Sequence, residues 1–184
     1  MSIKGLNAEV SSTADLIDLV HLSALDELVI KGEILDDDML SNLPPLAELK
    51  TLTILPNDSF TGRNIAHLAA CPKLTTLEII FSDGLQGDYL AQLSQVPSLR
   101  RLVVIRGPIT DSTLKHIGNL SQLTSLELGD WGNSDNIKCE SVKPLIVLRD
   151  SLRELRLHGF SHESVQELRA AMPDSKVNWI EQMQ

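Results

Sequence analysis

The chain has 184 residues; 42% are hydrophobic and only 3% aromatic, and 16 Lys and Arg against 25 Asp and Glu give a net charge of −9. That length fits one domain with an aliphatic core, while the acidity and the scarcity of rings argue against nucleic acid and anionic membranes as partners. No apolar run approaches the roughly 18 residues of a spanning helix, and two cysteines, Cys71 and Cys139, make neither a disulfide framework nor a metal set, so a reducing cytoplasm is the expected compartment.

Met1 to Asp18 carries Asp15, Asp18 and a single Lys, so no secretory leader is expected there. Ser12-x-x-Asp15 can form a capping box ahead of Leu16, Leu19 and Leu22, whose spacing predicts a short helix. Ile3-x-x-Leu6 reads as its strand, which makes residues 1–24 an N-terminal cap. The pattern Leu-x-x-Leu-x-(Ile/Val/Leu) then occurs six times: Leu25/Leu28/Ile30, Leu49/Leu52/Ile54, Leu74/Leu77/Ile79, Leu99/Leu102/Val104, Leu123/Leu126/Leu128 and Leu152/Leu155/Leu157. The starts lie 24, 25, 25, 24 and 29 residues apart. Alternation at the last two positions predicts a short strand in each unit.

Each strand is followed by an apolar triplet at i, i+3, i+6, which predicts a short helix. The triplets are Leu40/Leu43/Leu46, Ile65/Leu68/Cys71, Leu90/Leu93/Val96, Leu114/Ile117/Leu120 and Val142/Leu145/Leu148, with Val165/Leu168 in the sixth unit. Asp37, Thr61, Asp111 and Ser161 stand where N-caps of those helices are expected. The fifth unit is longer, and Gly129 to Asn136 reads as an inserted, turn-rich loop. Val177, Trp179 and Ile180 predict a last strand in a C-terminal cap of residues 177–184, with Trp179 facing either the core or the concave surface.

A strand and a short helix in about 25 residues cannot close a core alone, whereas stacked units can. The six copies resemble the leucine-rich-repeat family in its short bacterial-type units, best in LRRLVVIRGPITDSTLKHIGNLSQL, from Leu99 to Leu123. The resemblance covers roughly residues 16–180. It implies an α/β solenoid, with a parallel sheet on the concave face and short helices on the convex face, as a single domain over 1–184 with repeats at 25–176. It also implies a non-catalytic module that binds another protein through the concave face. A narrower alternative is a small cytoplasmic bacterial inhibitor or immunity-type protein that blocks a toxin or enzyme. The family's usual Asn at the ninth unit position is mostly missing: Glu33, Asn57, Ser82, Gly107, Trp131 and Phe160 stand there.

Unit positions 1, 4 and 6 are expected to face the core and positions 3, 5 and 7 the concave surface. The seventh position then lines up Leu55, Ile80 and Ile105, adjoined by Val103 at the fifth. Phe81 and Arg106 follow at the eighth, and Trp131 overhangs the next unit. A contiguous exposed apolar stripe signals a partner site. Arg101, Arg156 and His158 line the same face, giving a candidate partner surface of Leu55, Ile80, Phe81, Arg101, Val103, Ile105, Arg106, Trp131, Arg156 and His158. The six eight-residue strand segments hold seven basic and six acidic residues, +1 net, so the remainder holds nine and nineteen, −10. The acidity therefore belongs to helices and loops.

Catalytic sets are missing from the sequence. Gly84-x-x-Gly87 lacks the Lys-Ser/Thr of a phosphate loop. His67 and His116 recur at one helix position two units apart, too far to share a metal. Asp36-Asp37-Asp38 reads as a cap and turn, as does Asp130-x-x-Asn133-x-Asp135. An enzyme using Cys139, His158 or His162 is the remote alternative. No cofactor, metal or small-molecule substrate is expected, and the chain is expected not to be an enzyme.

Overall fold

The repeated leucines assemble as their period dictates. The computed structural model describes residues 6–9, 16, 19, 21, 24–32, 36–81, 83–130 and 137–180. Among these, eight parallel strands form one sheet in chain order: β1 (Leu6–Glu9), β2 (Glu27–Lys31), β3 (Thr51–Leu55), β4 (Thr76–Ile80), β5 (Arg101–Ile105), β6 (Ser125–Gly129), β7 (Glu154–His158) and β8 (Lys176–Ile180). Register follows unit position without a slip: Leu28, Leu52, Leu77, Leu102, Leu126 and Leu155 stand side by side. All six are fully buried, as are Ile30, Ile54, Ile79, Val104, Leu128 and Leu157 two residues on. The two ends join the same ladder, Leu6 opposite Leu28 and Val177 opposite Leu155.

At the strand entrance the second-position carbonyls of the first five units each accept two N–H groups of the next unit. Asp26 O takes Lys50 N and Thr51 N, and Lys50, Thr75, Arg100 and Thr124 repeat the arrangement at 2.8–3.1 Å. The stack is thus one continuous hydrogen-bonded edge as well as one apolar core.

The return segments are short helices of two kinds. Asp38–Asn42 (α1), Asp111–Gly118 (α2) and His162–Ala171 (α3) are α-helical. Residues 65–70, 87–95 and 143–150 are 3₁₀. An apolar spacing of three suits a 3₁₀ turn, in which i and i+3 eclipse.

The capping residues correct the sequence reading. Ser161 caps α3 by accepting from Ser164 N, as expected, but α2 is capped by Thr110 rather than Asp111. Asp37 stands at the N-cap position of α1, as expected, but its side chain makes no cap hydrogen bond there. It reaches into the next unit instead: Oδ1 accepts from the N–H groups of Thr61, Gly62 and Arg63 at 3.0, 2.8 and 3.2 Å. Its Oδ2 accepts the Thr61 hydroxyl at 2.6 Å. Asp111, at the same position three units later, also reaches into the next unit, accepting from Glu140 N and Ser141 N. Thr61 is therefore the recipient of an inter-unit staple, and the first residue of the 3₁₀ turn it precedes, Ile65, has Asn64 ahead of it with no side-chain cap. Where the usual ninth-position Asn is missing, these aspartates tie neighbouring turns together.

In β8, Trp179 pairs with Leu157, on the core side. Its indole packs against the core and donates from Nε1 to Phe160 O at 3.1 Å. A ring with an apolar body and one donor suits the end of a stack, where the last leucines need cover but backbone carbonyls still need partners.

Candidate concave interaction surface

The concave face carries a polar rail that crosses five strands at unit positions 3, 5 and 7. Thr53 Oγ1 donates to Glu78 Oε2 at 3.1 Å, and Arg101 Nε lies 4.0 Å from Glu78 Oε1. The same guanidinium donates to Glu127 Oε2 at 2.8 Å and to Ser125 Oγ at 2.9 Å. Glu127 also meets Arg156 at 3.6 Å and His158 Nε2 at 3.0 Å, and Arg156 bonds Glu154 at 2.9 Å.

Glu127 is the node. Burial raises its pKa, but hydrogen bonds and charge from Arg101 and His158 outweigh that and hold the carboxyl below its ordinary value. A lowered folded pKa contributes stability above the unfolded value, about 4.3, which is lost as pH falls through the folded value. Glu127→Gln is expected to cost about 1 kcal/mol at pH 7 and to weaken the loss of stability below pH 4.5, as read by urea unfolding against pH. An unchanged acid limb would show that the rail does not act as a unit.

The rail changes what is exposed. Val103 and Ile105, expected on an open stripe, are buried, at 3% and 0% exposure, and so is His158. Alternation assigned the face correctly but not the cover. Val103 lies in register between Glu78 and Glu127, and Arg101, two residues earlier on the same face, bonds toward both carboxylates. The charged side chains thus roof the valine. Ile105 sits between Ile80 and Gly129, the latter in turn beside His158.

Gly129 has a specific reason to be glycine: φ is +128°, and a Cβ there would meet His158 O at 1.9 Å. Trp131 lies outside the described residues.

The open part of the stripe is Leu55 and Ile80, both half-buried, with Phe81 and Arg106 beyond them. Phe81 is 41% exposed, and the Arg106 guanidinium carbon stands 5.0 Å from the centre of its ring. Both residues have left-handed backbone, φ 66° and 57°, at the unit position where the sixth repeat has Gly159 at φ 75°. Non-glycine residues hold that conformation at a cost. Their N–H groups complete the strand-exit ladder, Phe81 N to Ile105 O and Arg106 N to Gly129 O, both at 2.9 Å.

Residues considered for catalysis have different neighbours. His158 faces Glu127, whereas His162 packs edge-on against Trp179 at 5.3 Å, with Gln166 beside it. Cys139 lines a hollow of about 400 Å³ with Ile137, Gly159, Phe160, Ser161 and Ser164. Burial, with the Asp111 charge second, pushes its thiol up, and burial does the same to Cys71, so neither is activated as a thiolate. Of the acidic triplet, Asp37 is engaged by four donors of the next unit, Asp36 accepts from Asp38 N, and Asp38 lies 3.7 Å from Arg63. No group of three or more His, Cys, Asp or Glu arranged for a metal occurs among the described residues. No helix among them is long and apolar enough to cross a membrane.

The inter-unit aspartate staples and the two left-handed residues escaped the sequence reading. The staples had a signal: Asp37, Thr61 and Asp111 occupy one unit position, so Asp37 and Thr61 had to become neighbours on stacking.

No protein-family model matches the chain, and no curated protein does. Among solved structures, an internalin (inlF) from Listeria monocytogenes is similar with a TM-score of 0.53 at 19% identity, over 92% of this chain and 52% of that one. An internalin C2 (inlC2) from the same organism aligns with a TM-score of 0.49 at 20% identity, over 87% and 73%. The chain therefore spans about half the length of the first internalin. With eight in-register strands, two fully buried apolar rows and short helical returns, the fold is that of a leucine-rich-repeat solenoid.

Proposed function

We propose that the chain is a non-catalytic interaction module that binds a partner protein through its concave face. The observation that carries this reading is the patch of Leu55, Ile80, Phe81 and Arg106, open beside a rail whose charged groups are already engaged with one another. Aromatic and Arg side chains set among aliphatics are the composition in which binding energy concentrates. A solenoid sheet offers a wide surface rather than an enclosed pocket. Arg101, Arg156, Val103, Ile105 and His158 then act as the scaffold under the contact. Both cysteines are free thiols, which supports a reducing, cytoplasmic setting.

The test is capture of a partner from the source cells, followed by affinity measurement with variants. Ile80→Asp should weaken binding at least tenfold, about 1.4 kcal/mol, with the circular dichroism unchanged. Gln92→Glu, on the convex side, should bind as the wild type does. Normal binding by Ile80→Asp with loss in Gln92→Glu would mean that the helical face is used.

A further inference from the structure

Five arginines lie in the strand segments, and four of them are occupied. Arg101 and Arg156 face carboxylates, while Arg100 donates to Pro97 O and Leu99 O and Arg153 to Asp150 O. Arg106 is exposed, and among the described residues its guanidinium has a ring beneath it and neither a carboxylate nor a carbonyl to bond. The ring attracts the cation above it, and the guanidinium N–H groups, with no hydrogen bond or ion pair among the described residues, are available to pair with a planar anion.

We infer that Phe81 and Arg106 form a clamp for an acidic side chain of a partner polypeptide, whose neighbouring apolar residue lies on Leu55 and Ile80. This rests on the concave-face reading above and gives it a partner chemistry. Charge complementarity chooses the occupant: among the described residues Arg106 is the strand-segment arginine without a side-chain hydrogen bond or ion pair, and the apolar pair beside it asks for an apolar neighbour. A chain-terminal carboxylate fits less well. Such termini are captured by nests of free backbone N–H groups, and the N–H groups of both clamp residues are already bonded within the sheet.

The left-handed backbone points the same way. Gly159 makes the equivalent turn in the sixth unit without a side chain. A phenylalanine and an arginine in that conformation at neighbouring positions are a strained arrangement that their side chains must justify. This separates binding from stability. Phe81→Gly and Arg106→Gly remove the side chains yet suit the turn, so both should melt at or above the wild-type temperature.

The probe is a displayed library of random 12-residue peptides, selected on the full chain. Selected peptides should carry Asp or Glu beside an apolar residue. They should bind Phe81→Gly, Arg106→Gly and Ile80→Asp at least about tenfold more weakly. Arg106→Glu should lose them too and regain them when the peptide's acid is changed to Lys, a rescue that a structural role for Arg106 would not give. Peptides without acidic bias that lose affinity to Ile80→Asp but not to Arg106→Gly would overturn the clamp and leave the concave-face reading standing. Peptides indifferent to all these variants, or no binders, would overturn both.

Discussion

Leu102→Asp should leave no folded protein under conditions in which the wild type is fully native. Leu102 is fully buried in β5, with Leu77 and Leu126 on either side in the ladder. A carboxylate there has no partner and no water, and even its protonated form would carry unsatisfied polar atoms into an aliphatic stack. The penalty, together with the lost burial of the leucine, is several kcal/mol, against a total stability of about 5–15 kcal/mol for a domain. Each unit of a solenoid contacts only its neighbours, so a break at the centre leaves two short stacks, each with a newly exposed apolar end. Circular dichroism and thermal melting read the result directly. A cooperative wild-type transition in Leu102→Asp would show that this side chain does not face the core.

Asp37→Ala is expected to cost about 3–5 kcal/mol in urea unfolding. Three backbone N–H groups and a hydroxyl converge on its carboxylate from the next unit, and the side chain is 7% exposed. Hydrogen bonds to a charged acceptor are worth about 1.5–3 kcal/mol each, and removing the acceptor orphans the buried Gly62 N–H and the part-buried donors beside it. The neighbouring acids make the control: Asp36→Ala and Asp38→Ala should each stay within about 0.5 kcal/mol, because the Asp38–Arg63 pair is solvent-exposed. Asp37→Asn should recover part of the loss, since one oxygen still faces the N–H groups. A double-mutant cycle with Thr61→Val should be non-additive. If Asp37→Ala is as mild as Asp38→Ala, the staple contributes nothing and stacking alone orders the turns.

These two residues also mark what the sequence made legible. Leu102 could be placed because a 25-residue repeat of apolar positions admits one stacked arrangement, and period 2 within each strand sets the side. Asp37 stands at the helix start as read, but its partners were missed because local rules describe a helix by its own flanking residues. In a solenoid the nearest donors belong to the next turn, 24 residues on. Val103 and Ile105 show a second limit. Alternation specifies the face of a side chain, whereas its exposure depends on what lies across it, and the Arg101 bonds to Glu78 and Glu127 are a tertiary event. The left-handed turns at Phe81 and Arg106 were hidden because glycine, the usual marker, stands at that unit position in the sixth unit, as Gly159, and not in the third and fourth. Trp179 was open to two registers until its pairing with Leu157 placed it against the core.

Methyl NMR on the full chain, with and without the captured partner, tests the central claim most directly. Leu55 and Ile80 report the concave patch from its apolar floor, and Val147, 71% exposed on the 3₁₀ segment at 143–150, reports the convex side. The account predicts that the Leu55 and Ile80 methyl resonances shift or broaden at stoichiometric partner while those of Val147 stay in place. Shifts at Val147 with Leu55 and Ile80 unmoved would contradict it and move the interface to the helical face.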